Sequence, residues 1–166
     1  LAGCATPGPT IAVNAAPGAD LTSYRTWNFI QPLGTDRSSG IRSPLSTMLM
    51  SAVQNEMAAR GLTQSDSPEL LVDFFVTTQE RLDVRSTPNH SVHRSHWNRG
   101  WYSTWPSYST TVRQFTEGTL LIDLIDPNLS GLVAEGSAQS RIRSNEFTQQ
   151  QANNVVGQIM AEMLPR

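Results

Sequence analysis

Residues 120–138 read LLIDLIDPNLSGLVAEGSA, and this stretch constrains the fold more than any other. Leu120, Ile122 and Leu124 recur at every second position, which is strand periodicity. Asp126-Pro127-Asn128 and Ser130-Gly131 then supply turn chemistry over residues 126–131. The chain resumes at 132–142 as LVAEGSAQSRI, a second strand pairing back antiparallel on the first. Its Ala134, Gly136 and Ala138 carry almost no side-chain volume, so a helix is expected to approach the sheet closely there. The strand before the turn begins at about Thr110 and runs to Ile125, with Arg113, Glu117 and Asp123 on the face opposite the leucines.

The same alternation recurs upstream. In PELLVDFFVTTQERLDV, Leu70, Val72, Phe74 and Val76 form one apolar face, with Leu71 and Phe75 on the other. Thr10–Val13 is expected as a short first strand. Residues 21–30 are expected as a second, with Trp27 and Phe29 on one side and Tyr24 and Ile30 on the other. Residues 31–43 hold Pro, Gly, Ser and Asp and read as a loop.

Two helices complete the set. Ser43 is a natural N-cap with Pro44 at the first helical position. Leu45, Leu49, Val53 and Met57 then recur every fourth residue with Ala52 beside them, and Gly61 follows Arg60 as the residue that stops the helix. The last helix is expected from about Thr148 to Leu164, with Ala152, Val155, Val156, Ile159, Met160 and Met163 facing the core. Two amphipathic helices and consecutive antiparallel strands predict an α+β fold: a two-layer sandwich, its sheet mostly antiparallel, with both helices on one face. The other face is expected to be more polar and partly solvated.

Composition removes several function classes. All twelve cationic residues are arginine, so a lysine Schiff base and a P-loop lysine are excluded. The net charge of −2 gives no basic footprint for nucleic acid. Cys4 is the only cysteine, so no disulfide forms within the chain. It closes LAGC, which has the form of a bacterial lipobox. Cys4 is therefore expected to carry a lipid, with residues 1–9 as lipobox and flexible tether and 10–166 as a single domain. Ala5, rather than an aspartate, follows the cysteine. That favours an outer-membrane lipoprotein facing the periplasm.

Several of these segments together resemble a known family. They are PGADLTSYRTWNF at 17–29, AARGL leading into SPELLVDFFVTTQERLDV, FTEGTLLIDLIDPNLSGLVAEGSA at 115–138, and the closing AEMLPR. The chain is similar to the bacterial lipoprotein family called domain of unknown function 4136 over nearly its whole length after the tether. The resemblance implies an envelope location and an α+β fold, and it supplies no catalytic residue. It also implies an aromatic-rich loop before the EGTL strand.

That loop, expected over residues 85–109, holds the richest chemistry in the chain. His90, His93 and His96 are the only histidines, and Trp97, Trp101 and Trp105 follow with Tyr102 and Tyr108. Three imidazoles plus water would suit Zn²⁺ or Cu²⁺. Asn89, Ser91 and Ser95 give no helical drive to align them, and no cysteine or nearby carboxylate completes a shell, so three solvated histidines are the plainer reading. The large aromatics suit partner contact, burial back on the sheet, or a lipid interface. Strand carboxylates Asp73, Glu80, Asp83, Glu117 and Asp123 fit a solvated sheet face better than a glycosidase pair. No G-x-S-x-G elbow is present.

The functional expectation is a non-enzymatic, lipid-anchored envelope protein without a cofactor. It would bind a protein or cell-wall partner through Trp97, Trp101, Tyr102, Trp105 and Tyr108. The alternative is a periplasmic zinc- or copper-binding lipoprotein using His90, His93 and His96.

Overall fold

The computed structural model describes residues 8–89, 107–142 and 147–165. The chain runs β1 (Thr10–Ala15), β2 (Thr26–Phe29), α1 (Pro44–Ala59), β3 (Thr63–Gln64), β4 (Leu70–Asn89), β5 (Ser107–Asp126), β6 (Gly131–Ile142) and α2 (Gln149–Met163). The strands form one open sheet in the order β1-β6-β5-β4-β2-β3. The fold is the α+β sandwich expected, with both helices in the core on one sheet face. The sheet is mixed: β2 lies parallel to β3 and β4, and every other pairing is antiparallel. The helix between β2 and β4 accounts for this, because a parallel neighbour needs a long crossover.

The core follows the alternation. Leu70, Val72 and Phe74 of β4 and Leu120, Ile122 and Leu124 of β5 are buried under the helices. From α1 they meet Leu49, Ala52, Val53 and Met57, and from α2 Val156, Ile159, Met160 and Met163. Trp27 packs edge-to-face on Phe29, with ring centroids 4.9 Å apart, and Phe29 packs on Phe74. Gly136 permits the closest helix approach. A Cβ there would lie 2.3 Å from Cγ2 of Ile159 and 3.3 Å from Sδ of Met163.

The helix ends form as the residues dictate. Ser43 Oγ accepts from the Ser46 N–H at 3.0 Å. Gly61 takes φ +79° after α1, the left-handed conformation that glycine adopts without strain. Thr148 and Gln151 form a reciprocal capping box at the start of α2. The Arg60 side chain joins the two helix ends: its Nε donates to the Leu164 carbonyl at 2.7 Å, and its guanidinium pairs with Glu56.

Two expectations need correction. Residues 21–25 are not strand, because Asp20 captures them: its Oδ1 accepts from the Thr22 N–H at 3.0 Å and its carbonyl from Ser23 Oγ at 2.8 Å. Tyr24 therefore lies before β2. The long loop is also shorter than 85–109. Residues 85–89 continue β4 and 107–109 open β5, paired in unbroken register from Leu71 opposite Ile125 to Asn89 opposite Ser107. Among the described residues no helix is long and apolar enough to cross a membrane.

Candidate functional site

Strands β4 and β5 are 20 residues each, and only part of that length is covered by other elements. On the β5 side, β6 accompanies the pair as far as Ile142 opposite Thr116. On the β4 side, β2 pairs only with Leu70, Leu71 and Val72. Beyond these limits, among the described residues, the hairpin continues as a two-stranded ribbon up to Asn89 and Ser107, between which residues 90–106 run in sequence.

The ribbon keeps the alternation of the core strands without their burial. Leu82 is 66% exposed, Val84 60% and Val112 57%, all on the same face as Phe74 and Ile122. The opposite face is charged and aromatic. Arg81 reaches Glu117 at 3.4 Å, Arg85 reaches Asp83 at 3.5 Å, and the Arg141 guanidinium sits 3.9 Å from the Phe115 ring centroid. Glu117 on that face also accepts from Gln139, whereas Glu80 accepts from Gln114 Nε2 at 2.9 Å across the strands on the Leu82 face itself.

Closer to the core, the open sheet face carries a row of acids. Asp73 lies opposite Asp123, and Asp123 opposite Glu135. The expectation of solvated carboxylates fails at Asp73, which is buried. It pairs with Arg37 and accepts from the backbone N–H of Gly34 at 2.7 Å and of Phe74 at 2.9 Å. Arg37 also lies over the Phe75 ring at 5.1 Å. Asp123 has no such support: its Oδ1 is buried without a hydrogen-bond partner. Burial, with the Glu135 and Asp73 charges added, pushes its carboxyl up to about 6, against a smaller opposing pull from Arg37.

Two further polar clusters are structural in role. Buried Ser46 donates to Asp36 Oδ1 at 2.6 Å and receives Ser43 Oγ at 2.9 Å, fastening the 34–36 turn to the start of α1. Tyr24 donates to Asp126 Oδ2 at 2.8 Å, and Asp126 Oδ1 accepts from the Asn128 N–H at 2.8 Å. Burial first, and then this bond, push the Tyr24 phenol up to about 12, while the same bond leads in lowering Asp126.

Cys4, His90, His93, His96, Trp97, Trp101, Tyr102 and Trp105 lie outside the described residues. Tyr108 is placed by its backbone in β5, opposite Pro88. Among the described residues, no group of three His, Cys, Asp or Glu is arranged to hold a metal ion. Sequence reasoning missed the exposed apolar face of the ribbon. Its signal was present in Leu82, Val84 and Val112, which keep the period of the core strands beyond the reach of either helix.

A search of curated protein sequences finds no match. Among solved structures, the fold is similar to a PDZ domain protein from Parabacteroides distasonis, with TM-score 0.60 and 15% identity. That alignment covers 97% of this chain and 38% of the other, so this chain spans well under half of that relative. It is also similar to PelC from Paraburkholderia phytofirmans, described as a dodecamer, with TM-score 0.53 and 12% identity over 95% of this chain and 99% of that one. These likenesses establish the fold alone. Residues 11–163 match the family described as "Domain of unknown function (DUF4136)". With nearly all of its length inside that match, the chain belongs to the DUF4136 family.

Proposed function

We propose that this chain is a non-enzymatic, lipid-anchored envelope protein that uses its β4–β5 ribbon to present residues 90–108 to a protein or cell-wall partner. The anchor is Cys4, in the outer membrane and facing the periplasm. Trp97, Trp101, Tyr102, Trp105 and Tyr108 supply the contact. One observation carries the reading. The β4–β5 ladder runs without a register shift to Asn89 opposite Ser107, so the two strands that flank the aromatic segment in sequence are paired up to its borders, which supports a role in presenting it. A paired ribbon costs less conformational entropy on binding than a free loop of the same reach, because its backbone is already ordered. The exposed apolar side chains along it fit a surface that meets another molecule.

The test uses full-length protein expressed with its own signal and isolated from the outer membrane. Replacing Trp97, Trp101 and Trp105 together by serine should leave the circular dichroism spectrum unchanged. It should abolish recovery of a defined envelope protein, or of purified peptidoglycan, that the wild type retains. Retention of the same component at the wild-type level by the triple variant sinks the proposal.

A further inference from the structure

The outer edge of β4 offers a surface distinct from the aromatic segment. The Val72 carbonyl accepts from the Ile30 N–H at 3.0 Å, so Val72 points its backbone groups away from β5. The register with β5 has no bulge on this stretch, so the even-numbered residues that follow present their N–H and C=O groups to the same edge. Among the described residues, no strand pairs with that edge beyond Val72. Exposed, regular edges of this kind pair with other strands unless something prevents it.

The side chains along the edge select one occupant. An antiparallel pairing of two identical strands about a two-fold axis brings residues of equal parity opposite each other. Centring on Glu80, Arg81 or Asp83 sets each of those charges against its own copy, which is destabilising. Centring on Val84 sets Asp83 against Arg85, but it places Pro88, which has no N–H, opposite Glu80, well inside the ladder. Centring on Leu82 avoids the like-charge contacts and moves Pro88 out to the end of the ladder, opposite Val76. Arg81 then faces Asp83 of the second copy, twice by symmetry, and Leu82 lies against Leu82. The present partners of these charges are loose, at 3.4 and 3.5 Å, and exchange readily.

We propose that two copies of this chain join edge to edge along β4, antiparallel and in register about Leu82, into one continuous sheet. The pairing sets Leu82 against Leu82 of the second copy and Val84 beside its Glu80, shielding part of each apolar side chain. It stands independently of what residues 90–108 bind.

Sedimentation and cross-linking of the full 166-residue chain test this. Wild type sediments as a dimer at micromolar concentration. Asp83→Arg and Arg81→Asp each place like charges at both contacts and raise the dimer dissociation constant by roughly 30-fold. An equimolar mixture of the two variants restores opposite charges at both contacts and returns the constant to within about threefold of wild type. In a Cys4→Ser background, Leu82→Cys forms a disulfide-linked dimer under mild oxidation. Val84→Cys does not, since the two copies of that position lie about 13 Å apart in this register. A monomeric wild type, a mixture that stays dissociated, or cross-linking at position 84 in preference to 82 would overturn the proposal. Circular dichroism confirms that each variant is folded.

Discussion

The two halves of the β4–β5 hairpin share one sequence pattern and differ in what covers it. In the inner half, Phe74 and Ile122 are fully buried beneath α1 and α2. In the outer half, Leu82, Val84 and Val112 continue the same face into solvent. Lengths explain the difference. A strand of 20 residues spans about 66 Å, whereas α1, with 16 residues, spans about 24 Å. A two-layer fold whose strands outrun its helices leaves part of an apolar face without a second layer. In this protein the uncovered part is also the segment that leads to the aromatic residues.

The contrast is broken most directly by truncating one residue in each half. Phe74→Ala should cost about 4 kcal/mol in urea unfolding, the ordinary price of a large cavity in a closed core. Leu82→Ala, measured on dilute protein, should cost less than about 0.5 kcal/mol. Comparable losses at the two sites would mean that the ribbon packs against something in the monomer. A pair of glycines sharpens the same line. Gly136→Ala forces a Cβ into Ile159 and should cost about 2 kcal/mol. Gly118→Ala, at the ribbon's root, meets only the end of the partly exposed Ile142 side chain and should cost less than about 0.5 kcal/mol. A loss at Gly118 as large as that at Gly136 would place the boundary between the halves elsewhere.

An effect smaller than those of Phe74→Ala and Gly136→Ala lies on the open face at Asp123. Its folded carboxyl titrates at about 6, above the ordinary value of 3.8. Between those values the native state binds more protons than the unfolded chain, so this residue's contribution to stability falls as pH rises through the window. Above about pH 6 the destabilisation is complete. Asp123→Asn should therefore raise the melting temperature by roughly 2 °C at pH 7.5, a figure discounted for partial solvent screening. The gain should vanish near pH 4. An equal gain at both pH values would show that charge is not the cause.

Much of the fold was legible because the informative residues are local. Ser43-Pro44 and Thr148 with Gln151 mark helix starts by hydrogen bonds within one turn, and Leu70 to Val76 show their period directly. The close approach at Gly136 was legible from small side chains alone. The ribbon was not, because residues 85–89 and 107–109 are rich in Ser, Thr, Pro and Asn and read as loop. Their strand character comes from pairing with each other, which no local window contains. Residues 21–25 failed in the opposite direction, where an aspartate-centred turn displaced a plausible alternation. Asp73 read as a surface acid because its partner Arg37 lies in a different element. The imidazole and indole groups singled out from the sequence lie outside the described residues, so the candidate site rests on the ribbon that leads to them.

The register of the outermost strand on the far side also fixes a direction. Thr10 is level with Gln139, which is level with Thr119 and Thr77. β1 then runs inward, toward Ala15 opposite Ala134. Gly8 and Pro9 thus approach the sheet from the end where the ribbon departs. From Thr77 to Asn89 the ribbon extends about 40 Å on that side. The described start of the chain and the outer half of the ribbon therefore lie toward the same end of the sheet, and the covered inner half of the hairpin lies toward the other.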